Sequence, residues 1–132
     1  MAWDFKDDRP IYTQLLEQIQ KKIITEQYVS GDRLPSVRDL AAEAAVNPNT
    51  MQRALTELER IGLIYSNRTA GRMITDDRQK IMKIKEDIAA TTINEFLESM
   101  KSLGYEYDEI LAITAKYLEG KADRFKIRNL ND

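Results

Sequence analysis

The sequence predicts a mainly α-helical chain with one small β-hairpin, three helices ahead of the hairpin and two after it. Three observations predict this. Apolar residues recur at steps of three and four through five stretches. Start and stop residues (Pro10, Ser36, Asn47 with Pro48, Gly62, Gly104) punctuate those stretches. Two short runs rich in apolar residues flank the polar turn from Ser66 to Gly71.

In the first helix Ile11, Leu15, Ile19 and Ile23 fall at every fourth residue, with Tyr12 and Leu16 beside them. It runs from about Ile11 to Glu26, and Pro10 suits its first turn. A short second helix begins at Ser36, where Ser36 and Asp39 approximate a capping box. Val37, Leu40, Ala41 and Ala44 then face inward, and Arg38 points out of the first turn.

The connection from Ala45 to Pro48 is of the length that joins two crossing helices. In the third helix Asn47 is a good N-cap, Pro48 fits the first helical position, and Gly62 supplies the stop. At about 100° per residue, Met51, Ala54, Leu55, Leu58 and Ile61 gather on one side. Asn49, Gln52, Arg53, Thr56 and Arg60 gather on the other. Leu63 to Tyr65 and Arg72 to Thr75 then form the hairpin, which makes the whole an N-terminal winged helix-turn-helix.

Any amphipathic helix has a polar outer face, but these side chains are of the kinds that read bases. Asn and Gln bond adenine in a bidentate way, Arg does so with guanine, and Thr bonds a base edge or touches a thymine methyl. The free N–H groups at the start of the third helix suit a phosphate. Arg38, one helix earlier, is well positioned for phosphate or a base edge unless Asp39 or Glu43 pairs with it.

Arg9 to Tyr12 (RPIY), Gly31 to Ala41 (GDRLPSVRDLA), Val46 to Thr50 (VNPNT), Arg53 with Ala54, and Leu58 to Ile64 (LERIGLI) together resemble the N-terminal domain of the GntR family of bacterial transcription regulators. The resemblance covers about residues 9 to 75 in order. It implies that Arg38 contacts an operator from the second helix, and that Asn47, Asn49, Thr50, Gln52 and Arg53 form the recognition surface. Asn49, Gln52 and Arg53 are the residues that the angular argument had already exposed. The wing departs from the family's pattern of glycine, any residue, glycine, any residue, aromatic: those places hold Thr69, Ala70, Gly71, Arg72 and Met73. This puts a minor-groove contact at the wing tip in question, while Arg68 and Arg72 are still expected to reach phosphates.

Composition narrows the function classes. The chain has 132 residues, 42% hydrophobic, enough for one packed domain and a small appendage. It has no Cys and no His, so disulfides, thiolate or imidazole metal sites and Cys/His catalysis are excluded. No metal or other cofactor is expected, and no catalytic residues. The carboxylate pairs Glu57/Glu59 and Glu106/Asp108 do not converge on one helix face, and no Gly-rich phosphate loop is present. The Met1 to Pro10 segment is acidic and polar, and no apolar run approaches a span of about 20 residues, so a cytoplasmic protein without membrane contact is expected.

The net charge is −2. Residues 1–77 alone carry 10 Lys and Arg against 12 Asp and Glu. DNA binding must therefore rest on a local patch supplied by Arg33, Arg38, Arg53, Arg60, Arg68 and Arg72, with weak affinity for random DNA.

After Thr75 the chain changes to a long charged helical pattern, with Ile81, Ile84, Ile88, Thr92, Phe96, Met100 and Leu103 in steps of three or four. Some 28 residues would span about 40 Å. Gly104 ends this helix; Asp108 is expected to cap a shorter one that Gly120 stops, with Ile110, Leu111, Ile113, Thr114, Tyr117 and Leu118 facing a partner. Two helices joined by a short turn cannot enclose their own apolar stripes, so a homodimer is expected. Ile84, Ile88, Phe96, Met100, Leu111 and Tyr117 are its candidate interface.

A tail this short resembles the YtrA subfamily, whose members are often linked to membrane transporter genes. The organisation read from the sequence is thus 1–75 DNA-binding, 76–120 dimerisation and effector segment, and 121–132 a tail that extends the helix, covers a neighbour or stays disordered. The expected function is a regulator binding an inverted repeat of double-stranded DNA as a homodimer, and a repressor as the commoner case for a factor with no visible polymerase-contacting segment. A small-molecule effector, where one acts, would bind between subunits or against the DNA-binding domain. Phe96, Met100, Tyr105, Tyr107 and Tyr117 are the side chains to line such a crevice, although ordinary interface packing is the simpler account of them. The competing reading is a winged helix used as a protein-interaction module without DNA binding.

Overall fold

The computed structural model describes residues 3–125. Among these residues the elements run α1 (Ile11–Ile24), α2 (Val37–Ala44), α3 (Pro48–Ile61), β1 (Ile64–Asn67), β2 (Gly71–Ile74), α4 (Arg78–Ser102) and α5 (Tyr107–Phe125). They form two compact units, Met1–Glu86 and Asp87–Asp132.

In the first unit α1, α2 and α3 enclose the core in which Leu15, Ile19, Ile23, Leu40, Met51, Leu55 and Leu58 are fully buried. Most of the stripe that the spacing predicts for each helix is buried, with Val37 and Ile61 half-buried. Ile11, in the first turn of α1, remains 41% exposed, while its neighbour Tyr12 packs against the core. That helix also ends sooner than its periodicity suggests: Glu26 takes a left-handed φ of 59°, and the Thr25 amide closes the last turn on the Lys21 carbonyl.

Caps fix the boundaries of the other two helices. The Ser36 Oγ accepts the Asp39 N–H at 3.1 Å and opens α2. Gly62, at φ 88°, closes α3 in the left-handed conformation that a side chain disfavours, and this turns the chain into the hairpin.

The hairpin pairs Ile64 with Ile74 and Asn67 with Gly71. A feature that hydrophobic patterning does not reveal widens it. The Gly31 N–H donates to the Ile74 carbonyl, the Ile74 N–H to Asp32 and the Leu34 N–H to Arg72. The segment before α2 is thus held along β2, and this fixes the wing to the start of the helix-turn-helix.

The sequence changes character after Thr75, but the compact unit extends to Glu86. Ile81 and Ile84 in the first turns of α4 pack against the core, so the apolar stripe of α4 begins as part of the first unit.

In the second unit Gly104, at φ 97°, ends the connection from α4. Two expectations about α5 are corrected. Its cap is a reach-back from Glu109, whose Oε1 accepts the Glu106 N–H at 2.9 Å, while Asp108 lies within the first turn. The helix also continues past Gly120 to Phe125, since a lone glycine inside a helix costs only about 1 kcal/mol relative to alanine. The rest of the tail, 126–132, lies outside the described residues.

Candidate nucleic-acid interface

The interface is built at the start of α3. The Asn47 Oδ1 accepts the Asn49 N–H at 2.7 Å, so this oxygen serves the cap, and the amide NH2 is the donor available to a base or phosphate. Asn49, Gln52 and Arg53 are exposed, and Thr50 is half-buried against the domain.

The outer stripe of α3 is divided in two. Toward the C-terminal end, Arg60 donates from Nε to Glu57 at 2.7 Å in a bidentate pair, and these hydrogen bonds are the main reason the Glu57 carboxyl is held below its ordinary range. The Thr56 Oγ1 donates back to the Gln52 carbonyl at 2.9 Å. Toward the N-terminal end, Asn49 presents its amide to solvent, and the exposed Gln52 spends one N–H on a long bond to the Thr56 Oγ1 at 3.5 Å, with its carbonyl oxygen left open. The guanidinium of Arg53 lies 4.3 Å from the centroid of the Tyr12 ring on α1, and among the described residues it makes no ion pair.

Arg38 is exposed and has no ion pair among the described residues. Glu43, a carboxylate that the sequence offered as its partner, instead accepts the Trp3 indole N–H at 3.3 Å. The N-terminal segment thereby keeps Glu43 occupied. Trp3 also stands 4.6 Å from the Lys22 ammonium, which it covers together with Tyr28.

At the wing the two arginines differ. Arg68 is exposed at a tip shaped by Asn67, whose Oδ1 accepts the Thr69 and Ala70 N–H groups at 2.9 and 3.2 Å. Arg72 is mostly buried and donates from Nε to Glu59 at 2.7 Å, leaving only its terminal nitrogens for a phosphate. Glu59 also accepts the Ser66 hydroxyl at 2.9 Å, so one carboxylate on α3 ties down both strands of the wing. An open cleft of about 390 Å³ lies between the wing and α2, lined by Arg33, Ser36, Asn67 and Arg72 among others.

Sequence reasoning did not anticipate the parts played by Tyr12 and Glu59. Both sit within helical patterns that periodicity already explains, as core flank and as surface charge. The spacing of Glu59 to Arg72 gives no local signal, because the contact exists only once the hairpin folds back.

A prediction separates the two duties of Asn47. Aspartate caps as well as asparagine, so Asn47→Asp should leave the thermal midpoint unchanged while setting a like charge against phosphate. Binding to operator DNA should weaken by at least about tenfold, measured by fluorescence anisotropy.

A short helix, a tight turn, an exposed polar helix start and a clamped hairpin define a winged helix-turn-helix DNA-binding domain. The profile described as bacterial regulatory proteins, gntR family, matches residues 11–74. The chain is 34% identical over 116 residues to the uncharacterized HTH-type transcriptional regulator YhcF of Bacillus subtilis, covering 88% of this chain and 96% of that one. It is 35% identical over 97 residues to the HTH-type transcriptional repressor YtrA of the same organism, covering 69% and 75%. A solved GntR family transcriptional regulator from Listeria monocytogenes superposes with a TM-score of 0.78 at 40% identity, over 85% of this chain and 98% of that one. The chain belongs to the GntR family of bacterial transcription regulators. Its short two-helix tail and its match to YtrA align it with the YtrA-type members. These relatives are regulators, not enzymes. No helix among the described residues is long and apolar enough to cross a membrane.

Proposed function

We propose that this regulator is a repressor that binds an inverted-repeat operator as a homodimer. The observation that carries the DNA-reading part is the open N-terminal half of α3, where Asn49, Gln52 and Arg53 stand exposed at a capped helix start and the unpaired Arg38 is the outward arginine of the helix before it. Asn47 and Thr50 complete the reading surface, and Arg68 and Arg72 contact the DNA backbone. Because the first unit's other acidic and basic groups largely neutralise one another, binding depends on this patch and falls steeply with salt. Repression is supported by the relative YtrA, itself a transcriptional repressor; the resemblance to the YtrA subfamily makes transporter genes the expected targets.

The homodimer is supported by the apolar surface of the second unit. Phe96, Leu103, Tyr107, Leu111 and Tyr117 are exposed large hydrophobic side chains, an arrangement that a two-helix unit leaves unsatisfied. Ile88 and Met100 are half-buried at the edge of this surface. Ile84, by contrast, is packed on the first unit's core and is a weaker candidate for the interface. A two-fold dimer presents two copies of α3 and reads half-sites about 34 to 36 Å apart, one turn of DNA.

Sedimentation or light scattering tests this directly. The wild type should run at twice its chain mass of 15.3 kDa. Leu111→Glu, which sets a charge on a residue 73% exposed in the single chain, should give a monomer with an unchanged helical spectrum and at least about 100-fold weaker operator binding. A wild-type monomer at micromolar concentration would contradict the dimer.

A further inference from the structure

We infer that Tyr12, on the first helix and outside the helix-turn-helix, is a positioning residue for base reading: its ring face holds the Arg53 guanidinium in the orientation in which its N–H edges meet the base. The inference rests on the reading that Arg53 contacts DNA.

Arginine is a long side chain with many rotamers, and a free one must be ordered when it meets a base edge. A guanidinium stacked on an aromatic ring keeps its in-plane N–H donors available, because the stacking uses its face and the hydrogen bonds use its edge. In the structure the Arg53 guanidinium carbon lies over the Tyr12 ring, 4.3 Å from its centroid. Tyr12 is itself held, half-buried and packed against the core beside Leu16. Among the described residues Arg53 is in no ion pair, whereas Arg60 and Arg9 are paired with Glu57 and Glu17.

Arg53 and Arg60 are seven residues apart and share one side of the helix. The rise in Arg60 basicity comes first from its hydrogen bonds to Glu57, then from the Glu57 charge, with a smaller contribution from Tyr12. Arg60 is neutralised by its carboxylate, whereas Arg53 has only the ring. Tyr12 therefore bears on Arg53 alone as a DNA-reading group, and its effect should appear in base discrimination more than in general affinity for DNA.

A double-mutant cycle tests this, with a duplex that the wild-type protein selects from a random-sequence library and a scrambled duplex as probes. Tyr12→Phe should bind the selected duplex as the wild type does, because the ring face is retained. Tyr12→Leu should bind it about 3- to 10-fold more weakly, with scrambled DNA unaffected. In the Arg53→Ala background the same Leu substitution should have no further effect. Equal penalties in both backgrounds, or no penalty at all, would overturn the inference. If Arg53→Ala itself leaves binding unchanged while the duplex is still selected, the assignment of Arg53 has failed, and the inference with it. Nuclear magnetic resonance of the free protein gives a reading independent of DNA: the Arg53 side-chain protons should be shifted upfield by the ring in the wild type and in Tyr12→Phe. Ordinary random-coil shifts in the wild type would also overturn it.

Discussion

Leu55→Ala is expected to lower the unfolding free energy by about 2 to 5 kcal/mol. Leu55 has no exposed surface and lies on the inner face of α3, which packs against both α1 and α2. Truncation there removes contacts from three helices at once and leaves a cavity they cannot close without moving their caps. For a unit of this size the thermal midpoint should fall by roughly 10 °C or more, followed by circular dichroism. Operator binding should be lost in parallel, because the geometry of α2 against α3 is what sets Arg38 beside the recognition surface. The equivalent change at Ile11, which is already 41% exposed, should cost less.

Arg53→Ala is expected to act on function without that loss of structure. The exposed side chain has an edge free for a base, so its removal should cost about 1 to 3 kcal/mol of operator binding and relax discrimination at one base position in each half-site. Stability should change by less than about 1 kcal/mol, since only the stacking on Tyr12 is lost. Arg60→Ala is the control. It lies on the same side of the helix and carries the same charge, but its guanidinium is bound by Glu57, so its removal should alter binding little. Equal effects of the two substitutions would mean that the helix contributes only a diffuse positive field.

The fold was legible wherever local physics decides it. Both boundaries of α3 follow from Asn47, Pro48 and Gly62, and Leu55 and Leu58 could be placed inside from spacing alone. The start of α2 was readable from Ser36 for the same reason. What escaped was decided by contacts distant in sequence. The Asp32 segment joins β2 through backbone bonds that carry no side-chain signature. Gly120 reads as a stop, yet the helix passes through it. Ile81 and Ile84 continue an unbroken stripe with Ile88, so the point at which the first unit ends cannot be seen in the pattern.

The candidate site divides along the same line. Which side chains leave the core was evident from helical angle. Which of them are free was not, because Glu57, Glu59 and Tyr12 were needed to show that Arg60 and Arg72 are engaged and that Arg53 rests on a ring.

Anisotropy of a labelled duplex carrying the promoter of the protein's own operon, titrated at about 150 mM salt beside a scrambled duplex, tests the central claim most directly. Nanomolar binding of two chains to a two-fold-symmetric site, at least about a thousandfold tighter than to the scrambled duplex, is the predicted result. Equal and weak binding to both duplexes would contradict it, and would leave the winged helix as a surface for a protein partner.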